Sequence, residues 1–244
     1  MASTVGASAG CPYGGRHSYF NGVPKLFPLI IGLAFTLGVA KEPCFPLARL
    51  KYGGGGDWYA GPSMLPNLAK RLRADLKMDV CPEERVVEML APNLYETPVL
   101  FMTGHGRVEF TPEERQILRE YLSRGGLLFA DDNYGLAESF RAEMKILYPQ
   151  RDLRLLPAGH SIFRSHYVFP KGLPKIHEHD GLPATAYGIE MEGRLAVFFT
   201  YQSDLGNGWE DVGTYPEDPA ELHEQALRMG VNVFAWFLQG ARVK

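Results

Sequence analysis

Short apolar runs alternate along this chain with amphipathic helix patterns, and one run after another ends in glycine mixed with Asp, His, Trp or Tyr. Leu47 to Tyr52 reads as a strand and is followed by Gly53-Gly54-Gly55-Gly56-Asp57-Trp58-Tyr59. A helix with Leu65, Leu68, Leu72 and Leu76 on one face comes next, with Pro62 and Pro66 near its first turn. Val80 to Leu90 is mixed, with a strand signal at Val86, Val87 and Met89. Pro98 to Met102 is an apolar strand leading into Thr103-Gly104-His105-Gly106. Thr111-Pro112-Glu113-Glu114 then supplies an N-cap, a first-position proline and a capping-box glutamate. Leu127 to Ala130 is a buried strand leading into Asp131-Asp132-Asn133-Tyr134-Gly135, and Glu138 to Leu147 is a helix. A strand at Leu153 to Leu156 precedes Gly159-His160.

This alternation with short connections predicts a mostly parallel sheet covered by helices on both faces. In such sheets ligands bind beyond the carboxyl ends of the strands, so the clusters are expected to converge on one rim. Each also has a plain structural reading. Glycine runs form loops, Asp-Asp-Asn caps a following helix, and a lone His is commonly a satisfied structural residue. Beyond Pro157, Ile189-Glu-Met-Glu-Gly193 returning as Leu195 to Tyr201 reads as a hairpin. A last helix opens at Asp218-Pro219-Ala220-Glu221 and buries Leu222, Ala226, Met229, Val233 and Phe237.

No acidic residue precedes Glu42. Arg16 and Lys25 lead into an apolar run from Leu26 to Ala40, with small Gly38 and Ala40 at its end. Residues 1–40 are therefore expected to be a secretory signal or a membrane anchor, and residues 41–244 a single α/β domain. Fifteen residues interrupted by Pro28 fall short of the roughly 20 that span a bilayer core, which favours the signal. The expected location is exported, periplasmic or in the cell envelope, with membrane contact only through an uncleaved N-terminal segment. Cys11 would leave with the signal, and the sequence does not decide whether Cys44 and Cys81 pair. With 25 Lys+Arg against 28 Asp+Glu and no basic run, nucleic acid is not an expected partner.

Taken together with Lys175-Ile176-His177-Glu178-His179-Asp180-Gly181, the clusters from Arg49 to Tyr59, at Thr103 to Gly106 and at Asp131 to Gly135 resemble a bacterial family known as domain of unknown function 4159. The similarity runs from about Phe45 to the last helix. It implies a class I glutamine amidotransferase-like fold, a flavodoxin-like three-layer sandwich with a mostly parallel sheet and a C-terminal hairpin, but no established reaction. Glutaminase relatives need a Cys on a strand-to-helix elbow. Here that turn holds Ala130-Asp131-Asp132-Asn133, so glutamine amidotransferase activity is not expected. Gly-x-Ser-x-Gly and the Gly-Lys-Ser/Thr ending of a P-loop are also missing.

Two kinds of site fit these residues. In one, His177, His179 and Asp180 hold a divalent metal that activates water, and Asp131, Asp132 and His105 are the catalytic groups of a hydrolase. In the other, no metal binds and the rim recognises a small molecule or glycan. Gly54, Gly55, Asp57, Trp58, Tyr59, Asn133, Tyr134 and Trp209 then supply flat surfaces and hydrogen bonds. A third reading is a catalytically inactive interaction domain with protein partners in the envelope.

Overall fold

A computed structural model describes residues 44–241. The expected signal or anchor, with Cys11, lies outside the described residues, and no described helix is long and apolar enough to cross a membrane.

The strands are β1 (Ala48–Lys51), β2 (Arg85–Glu88), β3 (Val99–Met102), β4 (Leu127–Asp131), β5 (Arg154–Leu155), β6 (Thr185–Met191) and β7 (Arg194–Tyr201). They form one seven-stranded sheet in the order β2-β1-β3-β4-β7-β6-β5. β2, β1, β3, β4 and β7 are mutually parallel, whereas β6 runs antiparallel to β7 and β5 antiparallel to β6. The parallel part has the flavodoxin-like order, with β7 in the fifth place.

The helices are α1 (Met64–Leu76), α2 (Pro112–Ser123), α3 (Ala137–Leu147) and α4 (Ala220–Ala241). Strand side chains alternate between two cores, as a period of two demands. Phe101 and Phe129 pack with Leu65, Leu68, Met229 and Val233 of α1 and α4. Leu100, Met102, Leu128 and Ala130 pack with Leu118, Leu122, Phe140 and Met144 of α2 and α3. The result is a helix–sheet–helix sandwich. α2 starts as expected: Thr111 accepts the Glu114 N–H, and the Glu114 side chain accepts the Thr111 N–H in return.

The expected hairpin is β6–β7, turning through Glu192 (φ 51°) and Gly193 (φ 76°). Two consecutive left-handed residues match a hairpin turn to the strand twist. β7 then inserts beside β4, which brings its carboxyl end to the same rim as those of β1, β3 and β4.

One expected cluster goes elsewhere. After β5 the chain turns back, and His160 lies beside Trp236 of α4 and 3.7 Å from Glu190 near the hairpin end of β6. The two-residue β5 is an edge strand, too short to carry its loop to the rim.

Cys44 and Cys81 form a disulfide with a Cα–Cα distance of 5.0 Å. Backbone bonds from Phe45 N–H to the Asp79 carbonyl (2.7 Å) and from Cys81 N–H to the Phe45 carbonyl (2.9 Å) hold the two segments together. The bridge spans 37 residues. Chain-entropy arguments give such a loop about 3–4 kcal/mol of stabilisation. Urea unfolding with and without reductant should show a loss of that size; coincident curves would mean that the bridge adds no stability.

Candidate functional site

The turn after β4 and the loop after β7 meet the segment from Leu173 to Pro183 that enters β6, while the loops after β1 and β3 meet each other and the β4 turn. β1 and β3 flank the position where the strand order reverses, the usual ligand crevice of such sheets.

The glycine loop after β1 is mainly committed to the chain itself. It runs against residues 105–109, with Gly56 N–H to the Arg107 carbonyl (2.9 Å) and Glu109 N–H to the Gly53 carbonyl (2.9 Å). A Cβ on Gly54 would stand 2.6 Å from the Glu109 nitrogen, and its φ is +102°. Glycine is required there by backbone packing. Gly55, at φ +89°, has nothing within 4 Å of such a Cβ and is the open position of the loop.

The loop ends in Asp57, which grips the β3 turn. One carboxylate oxygen accepts the His105 backbone N–H, and the other lies 3.0 Å from His105 Nδ1. Trp58 and Tyr59 pack edge to face at 5.5 Å, and Lys51 lies 5.8 Å from the Trp58 ring. Buried Arg49 fixes this stretch by donating to the Ala60 (2.7 Å) and Gly61 (2.9 Å) carbonyls. Trp209 is elsewhere. It is fully buried against Phe101 and Phe129 and donates its indole N–H to the Ala226 carbonyl at 2.8 Å, so its ring is core rather than rim surface.

The turn after β4 divides its tasks. Asp131 is wholly buried and accepts from the Thr200 hydroxyl, Leu205 N–H (3.3 Å) and Gly206 N–H (2.7 Å). It thereby fastens the loop after β7 to the sheet. Burial pushes its pKa up to about 6, against the lowering effect of those donors. Asp132 accepts the Tyr134 (3.2 Å) and Leu136 (2.9 Å) N–H groups and so shapes the approach to α3, the structural task that Asp-Asp-Asn offered in the sequence. Asn133 is buried, and neither its side-chain oxygen nor its nitrogen has a partner among the described residues; the Thr103 hydroxyl at the end of β3 is in the same state.

The segment entering β6 provides the rest. His177 Nδ1 lies 2.8 Å from Asp218, and His179 Nε2 lies 2.5 Å from Asp204 in the loop after β7. The two imidazoles are 5.0 Å apart, and His179 stacks on Tyr134 at 4.5 Å. Tyr134, held at φ 108°, donates its hydroxyl to Asp180 (3.1 Å), which also accepts from Gln202 (2.9 Å). Asp180 is thus tied to Tyr134 and Gln202. Among the described residues no three His, Cys, Asp or Glu side chains are arranged to hold an ion. The expected ligands His177 and His179 each point a ring nitrogen at a separate carboxylate.

Asp204 is fully buried at φ 58°, and its second carboxylate oxygen has no partner among the described residues. Burial, reinforced by the charges of Asp131 and Asp132, pushes its pKa up to about 9. Burial also lowers the His179 pKa, with the charges of His177, Lys175 and His105 adding to the effect. A raised carboxyl pKa facing a lowered imidazole pKa favours a protonated Asp204 that donates to Nε2 of a neutral imidazole.

Three His–Asp pairs line this rim: His105 with Asp57, His177 with Asp218 and His179 with Asp204. The sequence brought out the three histidines but not two of their partners. Asp218 read as the start of the last helix, and Asp204 was legible only as an acid shortly after the strand Leu195 to Tyr201. That placement after a strand was the available signal for Asp204.

The fold and this rim define an α/β domain with a polar, histidine-rich site at the carboxyl end of a mostly parallel sheet. The family profile described as Domain of unknown function (DUF4159) matches residues 46–238, and the chain belongs to that family. No curated protein matches it.

Proposed function

We propose that the carboxyl rim is a general acid–base site that hydrolyses a small polar molecule or a glycan, with the His179–Asp204 pair as its proton carrier. The observation behind this reading is the pair itself: an imidazole partly open to solvent, backed by a buried carboxyl group whose pKa lies above neutrality. With Nε2 accepting from Asp204, Nδ1 carries the other ring proton. Donation of that proton to a leaving group, as the Asp204 proton moves to Nε2, is general-acid catalysis. As water bonds to the centre that the leaving group vacates, the unprotonated Nδ1 takes the proton the water releases and the Nε2 proton returns to Asp204, so the pair ends as it began. His105, oriented by Asp57, is a second group able to move protons. Tyr134 provides a flat wall beside His179.

Neither Asp131 nor Asp132 is assigned to the chemistry, since their oxygens are engaged by backbone and hydroxyl donors. A resident divalent metal is not part of this reading, because the two imidazoles serve separate carboxylates. The strand order supports a class I glutamine amidotransferase-like sandwich whose elbow after β4 has exchanged a nucleophile for Asp131-Asp132-Asn133. Export is supported by the acid-free first forty residues and by the Cys44–Cys81 disulfide, a bond that persists in oxidising compartments.

The test is a hydrolysis screen of the purified chain on soluble glycan fragments, peptides and chromogenic esters. Positive substrates are repeated with His179→Gln and Asp204→Asn. Each variant should lower kcat by about 10²–10⁴-fold, the usual worth of a proton-transfer group, while circular dichroism stays unchanged. Wild-type levels of turnover in both variants would sink the assignment. A second reading, a binding module without catalysis, is favoured by the unpartnered Asn133 amide and Thr103 hydroxyl. It predicts saturable glycan binding with no turnover in the wild type.

A further inference from the structure

We propose that a cavity at the opposite, amino-terminal rim of the sheet binds a small amphipathic carboxylate, an acyl or aryl chain ending in one negative charge. The cavity has a volume of about 490 Å³, within the range typical of small-ligand pockets, roughly 300–1,000 Å³. It lies between the end of α2, the Gly125-Gly126 turn, the start of β7 and the last turns of α4. None of the residues of the His–Asp rim lines it.

Its walls combine aromatic surface with two cations. Tyr95, Tyr121, Trp236 and Phe237 give flat apolar area, and Arg124 and Arg194 are the charged lining groups. Arg124 lies over the Tyr95 ring at 4.7 Å and makes a loose, exposed contact with Glu120 at 3.6 Å. Arg194 donates to the Gly126 carbonyl (3.0 Å) and the Leu122 carbonyl, which cancels the exposed carbonyl end of α2. Both of those partners are neutral carbonyls; burial lowers the Arg194 pKa and the charge of Glu192 acts against that, and a guanidinium stays charged at neutral pH beside the cavity. An apolar volume edged by two guanidinium groups complements a molecule with a hydrocarbon body and one anionic end.

Gly240 of α4 provides a clean test, because it lines the cavity and nothing lies within 4 Å of a Cβ placed on it. Isothermal titration of the purified full chain with sodium decanoate, below its micelle concentration, should give saturable one-to-one binding. Gly240→Leu should abolish it by filling the cavity, with thermal unfolding showing the variant folded. The exposed change Arg124→Gln should weaken it by about 3- to 5-fold, the scale of one partly solvated ionic contact. Neutral decanol should bind at least about tenfold more weakly, and His179→Gln should leave decanoate binding unchanged, which separates this cavity from the opposite rim. Absent decanoate binding, unchanged affinity in folded Gly240→Leu, or equal affinity for decanol would overturn the proposal. So would binding only to phosphatidylglycerol vesicles, since that would assign the surface to a membrane.

Discussion

Asp131→Ala is expected to lower the free energy of unfolding by about 3–5 kcal/mol, the range for losing one side of a buried charged hydrogen-bond cluster. Its carboxylate is the acceptor for the Thr200 hydroxyl and for the backbone N–H groups of Leu205 and Gly206. Truncation leaves those donors inside the protein without the acceptor that faces them, and a stranded donor costs about 1–3 kcal/mol. Asp131→Asn keeps the shape and one acceptor oxygen, so a smaller loss of about 1–2 kcal/mol is expected. Because the same loop carries Asp204, the alanine variant should also loosen the His179 contact. Urea unfolding measures the stability, and His179 imidazole chemical shifts report the loop. An alanine variant as stable as the wild type would show that the loop after β7 is held by something other than Asp131.

The second large effect is on pH dependence. Asp204 has a folded-state pKa near 9 and Asp131 one near 6, both above the ordinary value for an aspartate, about 3.9. A raised folded pKa means that the folded state holds a proton the unfolded chain has released. That contribution is complete below about pH 4 and is lost as pH rises through the folded pKa. Between pH 7 and 9 Asp204 dominates, since Asp131 is already largely ionised there and the lowered pKa of His179 acts at more acidic pH. Wild-type stability should therefore fall across pH 7 to 9, by up to about 1.4 kcal/mol for each pH unit. Asp204→Asn should remove that slope. Its amide does not ionise, and it can donate to His179 Nε2 as the protonated carboxyl does. Thermal unfolding at pH 7, 8 and 9 gives the comparison. A wild-type melting temperature that rises with pH, or an asparagine variant with the same slope, would contradict a protonated Asp204.

Much of the fold was legible because its signals are local. The capping box at Thr111 to Glu114 marked the start of α2, and the unbroken apolar runs of β3 and β4 reflect strands buried on both faces. The hairpin at Glu192-Gly193 was legible for the same reason, since its turn needs consecutive residues that tolerate positive φ. Partner choice was not local. That β7 would insert beside β4 depends on pairing between residues about seventy apart. That Gly159-His160 would leave the rim depends on β5 being a two-residue edge strand.

At the site, the sequence by itself determined the available residue types: His105, acids and glycines after strands, and His177 and His179 in the segment before β6. Only the tertiary structure decided their work. Trp209 looked like a rim aromatic because it follows a strand, but burial against Phe101 and Phe129 makes it core. Asp131 and Asp132 looked like catalytic acids, and hydrogen bonding engages both in holding loops. Asp204 stood in the sequence only as an acid shortly after a strand. Insertion of β7 buries it behind His179, and removal from water is what raises the pKa of an otherwise ordinary carboxylate. Residue type sets the available chemistry, while the solvation that selects among its states arises only when distant segments close over one another.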